Sequence, residues 1–140
     1  MIREFRLADL DEVMNIWLST NISAHHFIDE SYWKNNFEFV KQVLPTSQIK
    51  VFVEGGVIKG FIGVIDQYIA GLFVLEAYQS QGIGKQLVEA AKKFSPILHI
   101  DVYLQNEKAL TFYKKNGFQV ISEKENMDTK QTECFMVWNQ

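Results

Sequence analysis

From Leu10 the apolar positions recur at Val13, Met14, Trp17 and Leu18, the i, i+3, i+4, i+7, i+8 spacing of one helical face. Residues 1–6 before them read as a short strand. Asn21 to Asp29 after them is polar and irregular, and holds His25 and His26. A second helical face carries Trp33, Phe37, Val40 and Leu44, and Pro45 marks its end. From Ile49 the period shortens. Lys50 to Glu54 and Val57 to Ile65, separated by Gly55-Gly56, predict a β-hairpin, because paired glycines reach the positive φ of a tight two-residue turn. Residues 68–75 form a further strand with so few polar side chains that burial on both faces is expected. Ile83, Leu87, Ala91 and Phe94 then line one side of a helix, Pro96 breaks the chain, and Ile97 to Leu104 is a strand. A short helix from about Glu107 to Lys115 stops at Asn116-Gly117. Two last strands, near 118–124 and 132–138, flank a polar turn. The order β-α-α-β-β-β-α-β-α-β-β predicts one mixed α/β sheet with helices on both faces.

Composition narrows the function classes. The 140 residues fit a single domain, 1–140, uninterrupted by linker, repeat or low-complexity tract. A chain of this length buries about 70% of its unfolded surface, so no staple is needed. The balance of 47% hydrophobic to 22% charged residues is that of a folded chain, and the 14% aromatic content suits a well-packed sheet. Net charge is −3 with no block of one sign, so neither a nucleic-acid face nor a polybasic membrane patch is visible. The N-terminus carries charges where a signal peptide needs an apolar run, and no stretch approaches the ~20 apolar residues of a membrane span. A cytoplasmic protein is the expectation. Cys134, the single cysteine, excludes an internal disulfide and reads as a small buried residue on a strand. Adjacent His25-His26 lacks the i, i+4 spacing of a helical metal site, so no metal is expected.

The chemistry concentrates in Val74-Leu75-Glu76-Ala77-Tyr78-Gln79-Ser80-Gln81-Gly82-Ile83-Gly84-Lys85, which joins a strand to a helix. Its glycines let backbone approach a ligand, and the first helical turn leaves N–H groups free for an anion such as a pyrophosphate. It is not a P-loop, which needs Gly at Gln79 and Ser or Thr at Gln86. A dinucleotide fingerprint starting at Gly82 fails at Leu87. A nucleotide phosphotransferase is therefore the weakest reading.

Gln79-x-x-Gly82-x-Gly84 resembles the acetyl-CoA loop of the GNAT superfamily of N-acetyltransferases. Asn106, Ala109, Phe112-Tyr113 and Gly117-Phe118 resemble the family's second signature, in the right order and directly after a strand. The likeness covers essentially the whole chain. The loop around Ser23 to Ile28 is similar to that of small single-domain bacterial members of uncertain substrate.

The resemblance implies a mostly antiparallel, twisted sheet of about seven strands, with a V-shaped splay between 69–75 and 97–104. Acetyl-CoA would enter the splay, its pantetheine arm pairing with backbone near Phe73 and Val74. Its pyrophosphate would rest on N–H groups from Gln81 to Lys85, among Gln79, Gln81, Gly82, Ile83, Gly84 and Lys85. Asn106, Phe112 and Tyr113 would complete that site, Asn106 also capping its helix. The implied activity is direct acetyl transfer to a primary amine of a small molecule, peptide or protein through a tetrahedral oxyanion, with the Val74 amide as its stabiliser. Tyr113 matches the family's acid, and an ordinary pKa of ~10 keeps it protonated at neutral pH. The base stays open. Many relatives place a Glu where this chain has Ala70. Asp101, His25 or a water chain are the alternatives, and His99 shares strand parity with Asp101 and Tyr103. A non-catalytic acyl-CoA sensor of the same fold is a second reading, and monomer or homodimer are both compatible.

Overall fold

Gly55 and Gly56, at φ +61° and +75°, close the expected hairpin between β2 (Gln48–Glu54) and β3 (Val57–Ile65). In the computed structural model, which describes residues 1–140, a second tight turn at Asp66-Gln67 leads into β4 (Tyr68–Val74). Both residues of that turn take positive φ without glycine, so its sequence carries no turn signature. The remaining strands are β1 (Ile2–Glu4), β5 (Ile97–Tyr103), β6 (Gln119–Glu125) and β7 (Thr132–Asn139). All seven form one sheet, ordered β1-β2-β3-β4-β5-β7-β6. Every neighbouring pair is antiparallel except β4 and β5. The sequence expectation of a mixed, mostly antiparallel sheet of seven strands holds.

Helices α1 (Leu10–Ala24) and α2 (Glu30–Val43) cover one face. Val13, Met14 and Trp17 of α1 and Trp33 of α2 pack there with Val51, Phe61 and Tyr103. Helices α3 (Ile83–Lys92) and α4 (Glu107–Lys115) cover the other. There Leu87, Val88, Ala91, Leu110 and Tyr113 meet Leu98, Ile100, Met136 and the buried Cys134.

Three local expectations are corrected. Helix α1 runs on to Ala24 through the polar stretch from Asn21, because Thr20 and Asn21 turn inward and donate to the carbonyls of Ile16 and Trp17. Phe94 lies beyond the end of α3 and is exposed, so the buried side of that helix stops at Ala91. Strand β4 is not buried on both faces. Ile69 and Gly71 are, but Ala70 is exposed and Leu72 to Val74 are half-buried, because the neighbouring strand has diverged from them.

Candidate functional site

The divergence has a cause in the ladder. Strands β4 and β5 touch at one parallel pair, Tyr68 with His99, and His99 N–H donates to Gln67 O at 3.0 Å. Immediately afterwards β4 bulges: Ile69 faces Val64 and Gly71 faces Gly63, so Ala70 has no partner on β3. A bulge bends its strand and reverses the parity of the residues beyond it. Ile69 therefore joins the α3/α4 core, whereas Phe73 packs toward Phe61 on the opposite face, ring centroids 5.5 Å apart. The result is a V-shaped slot opening from Tyr68 and His99.

The ladder also decides which backbone groups enter that slot. Leu75 N–H donates to Lys59 O at 2.9 Å, and in an antiparallel pair the bonded residues alternate. Phe73 and Gly71 therefore turn their backbone groups to β3, while Leu72 and Val74 turn theirs to the slot. Of the two residues expected beside the pantetheine arm, Val74 turns its backbone to the slot together with Leu72, whereas Phe73 turns its backbone to β3 and its ring toward Phe61. That ring lies over Gly71, where a Cβ would come within 2.4 Å of it.

Beyond β4 the chain turns through Ser80 and Gly82, at φ +65° and +83°, into α3. The first intrahelical bond is Gln86 N–H to Gly82 O at 3.1 Å, and no side chain caps the helix. The N–H groups of Ile83, Gly84 and Lys85 are thus left without helical partners. They border a cavity of about 660 Å³ whose walls include Val74, Gln79, Phe112 and Tyr113. Gly84 lets α3 approach α4; a Cβ there would lie 3.3 Å from the Phe112 ring. Gln81 does not reach this cavity, because the positive φ of Ser80 turns the chain and leaves Gln81 exposed, and Ser80 lines the wall instead. The Gln79 side chain is occupied as a brace, donating to Val74 O at 2.9 Å and accepting from Lys108 Nζ at 2.8 Å.

Asn106 caps α4, its Oδ1 accepting from Ala109 N–H at 3.2 Å. This fixes the amide so that Nδ2 meets His25 Nε2 at 3.3 Å. The other ring nitrogen of His25, Nδ1, lies 3.0 Å from Asn21 O, which can only accept. The ring is therefore neutral, with its proton on Nδ1. Burial holds the imidazole below its ordinary value, against a smaller opposing effect from the Asn21 carbonyl. Far from standing in a surface loop, His25 is 8% exposed and stacks on Trp33 at 5.2 Å.

A second cavity, of about 280 Å³, lies on the α1/α2 side of the slot. It shares His25, Leu72, Phe73, Asn106 and Tyr113 with the larger one, so the two meet at those five residues. Tyr113 is 4% exposed, and burial chiefly, with Tyr68 second, holds its phenol well above the usual tyrosine value. Asp101 lines the smaller cavity. Its Oδ2 accepts from Tyr68 Oη at 3.1 Å and from Lys124 Nζ at 3.4 Å, while its Oδ1 is buried without a partner. Tyr103 is pushed up to about 12, mainly by burial. His99 lines neither cavity. It sits between Tyr68 and Phe135 with Nδ1 buried and unpartnered.

Residues that sequence reasoning missed include Tyr68, Trp33, Asn126 and above all Glu133, a second carboxylate in the smaller cavity. The signal for Glu133 was present. With Cys134 in the core, strand alternation puts Glu133 on the opposite face, beside Tyr103. No group of three or more His, Cys, Asp or Glu residues is placed to hold a metal ion.

Comparison with known proteins agrees with this geometry. The family described as an acetyltransferase (GNAT) domain matches residues 45–120. The chain is 29% identical over 140 residues to the peptidyl-lysine N-acetyltransferase YiaC of Escherichia coli K12, spanning 99% of this chain and 96% of that one. It is 33% identical over 125 residues to the peptidyl-lysine N-acetyltransferase YjaB of Salmonella typhimurium LT2, spanning 89% and 86%. The solution structure of apo-form YjaB from Escherichia coli superposes with a TM-score of 0.86 at 28% identity, over 99% of this chain and 96% of that one.

Proposed function

Since the chain belongs to the GNAT family of acetyltransferases and so uses acetyl-CoA, we propose that it acetylates a primary amine, specifically a lysine side chain of a peptide or protein. The relatives named as peptidyl-lysine N-acetyltransferases support that choice of acceptor. The observation that carries the reading is the splay of β4 from β5, where a cofactor-sized cavity and a smaller polar cavity meet at Leu72, Asn106 and Tyr113. We treat residues 1–140 as one catalytic domain, because both cores share one sheet. No helix is long and apolar enough to cross a membrane.

The larger cavity fits coenzyme A by its donor set. The N–H groups of Ile83, Gly84 and Lys85 receive the diphosphate, as unpartnered helix-start amides favour anions. Leu72 and Val74 pair through backbone with the pantetheine amides, and Gln79 holds the Val74 carbonyl in place. Acetyl-CoA supplies an activated acyl group. The Val74 N–H stabilises the negative charge that develops on the acyl oxygen as the amine nitrogen bonds to the carbonyl carbon. Holding both reactants in one slot supplies proximity.

Two protons move. Asp101, through its unpartnered Oδ1, accepts the proton that the ammonium must lose before it can attack. Tyr113, kept protonated by burial, gives its proton to the sulfur as the carbon–sulfur bond breaks, and its phenolate is reprotonated, through water, by the second proton that the nitrogen loses as the amide forms. His25 is a positioning residue in this scheme. Its Nε2 is engaged by Asn106 and its Nδ1 by Asn21, so neither nitrogen is free to act as base.

The test is thioester cleavage with a panel of lysine peptides, polyamines, aminoglycosides and amino acids, wild type beside Tyr113→Phe. Turnover with lysine peptides supports the reading. Coenzyme A binding with no turnover on any amine supports the sensor reading instead.

A further inference from the structure

We infer that Glu133 is a specificity-determining residue: with Asp101 it forms a two-carboxylate seat that selects a protonated aliphatic amine over an uncharged one. The inference rests on the primary-amine reading above and adds to it how the charge of the acceptor is recognised.

The register of β5 and β7 pairs Tyr103 with Glu133 and Asp101 with Phe135, so Asp101 and Glu133 are diagonal neighbours on one face. That spacing is on the order of 7 Å, which one ammonium group can bridge. Both line the 280 Å³ cavity, and no lysine or arginine does.

Charge inside the cavity is not balanced. Lys124, paired with Glu133 across β6 and β7, reaches Asp101 Oδ2 at 3.4 Å, but its side chain is 59% exposed against 15% for Asp101. It is a rim cation that a better-placed one can displace. Glu133 receives only a neutral donor, Asn126 Nδ2, at 3.3 Å. Lys124 also acts on Glu133 from the rim; the other charged or phenolic groups around it are Asp101 and Tyr103 from β5, Tyr68 from β4, Tyr32 from α2, and Asp128 in the β6–β7 turn. Burial first, and the nearby Asp101 second, hold the Glu133 carboxyl above its ordinary value. An entering ammonium answers both carboxylates at once; an uncharged amine answers neither.

The walls suit the rest of such a ligand. Trp17, Trp33, Tyr32 and Tyr103 present aromatic surface, against which a cation and its methylene stem are both favoured. Trp33 Nε1 is also buried there without a partner.

The test compares wild type, Glu133→Gln and Glu133→Asp, each loaded with coenzyme A. Calorimetry gives the Kd for Nα-acetyl-lysine amide, and steady-state assays give KM for a lysine peptide and for an aromatic amine uncharged at pH 7. The expected result is that E133Q weakens the lysine amide Kd and the peptide KM at least tenfold, and E133D restores most of both. KM for the aromatic amine and the coenzyme A affinity stay within twofold. Equal weakening of both acceptors, or a lysine amide Kd within twofold of wild type in E133Q, overturns the inference while leaving the primary-amine reading standing. A wild-type protein that binds coenzyme A but neither binds nor acetylates lysine overturns that reading, and the role of Glu133 with it.

Discussion

Asn106 Nδ2 and His25 Nε2 meet at 3.3 Å, joining the cap of α4 to the end of α1 across the mouth of the slot. The contact links the two helical layers at the point where the two cavities meet. It also assigns the histidine: with Nδ1 held by Asn21 O and Nε2 by Asn106, the ring is a neutral, buried strut.

A buried neutral imidazole has a signature in stability. Burial holds the His25 value below the ordinary 6.5, so the unfolded chain binds more protons than the native one below that pH. Its contribution is complete above pH 6.5 and declines as pH falls through the window beneath it. His25→Gln is expected to unfold about 1–3 kcal/mol more easily at pH 7.5, as loss of a buried contact does. Chemical denaturation between pH 5 and 8 should show the wild-type advantage shrinking toward acid. The kcat of the variant should fall less than tenfold.

Tyr113 is buried, and no protein hydrogen bond is among the influences on its phenol. Tyr113→Phe removes a proton donor without leaving an orphaned partner, so Tm should hold or rise. Its kcat should fall about a hundredfold, the usual worth of a positioned acid. Coenzyme A affinity should change less than threefold by calorimetry.

Asp101 offers the one carboxylate oxygen in the smaller cavity that is buried and unpartnered. Asp101→Asn keeps the shape and removes the proton acceptor. Steady-state kinetics should show kcat reduced about a hundredfold, with coenzyme A affinity near wild type. Unchanged turnover would remove Asp101 from the mechanism.

The two loop glycines should separate. Gly82 needs its φ of +83°, and Gly82→Ala should cost about 1–2 kcal/mol in denaturant unfolding. Gly84→Ala meets the Phe112 ring at 3.3 Å, so the ring must shift by a few tenths of an ångström into the cavity wall. Its main effect should be a coenzyme A Kd raised about fivefold or more in calorimetry, with little change in Tm.

How far the sequence reached depended on what each feature needs. The Gly55-Gly56 hairpin, the loop through Gly82 and Gly84 and the main helix faces are local patterns and appear where the sequence places them, apart from the ends of α1 and α3. The opening of the slot is not local. It follows from the bulge at Ala70, which exists only as a mismatch between β4 and β3, and no periodicity in one strand reports its partner's register. For the same reason no pattern within β4 alone tells that Leu72 and Val74, rather than Phe73, turn their backbone groups to the slot. His25 was read as loop because its neighbours are polar, whereas Thr20 and Asn21 satisfy their side chains on the helix itself. In the sequence alone Glu133, a charge on a late strand, has the pattern of a solvated edge. Its cavity forms only when β7 inserts between β5 and β6.

The central claim is that the backbone of β4 and of the glycine loop receives coenzyme A. Backbone amide resonances followed during titration with coenzyme A test it most directly. The largest shifts are expected at Leu72, Val74 and from Gly82 to Lys85, with Ala109 and Tyr113 responding from α4. Saturable binding that moves other amides and leaves Leu72, Val74, Ile83, Gly84 and Lys85 still, or no binding at all, would contradict it.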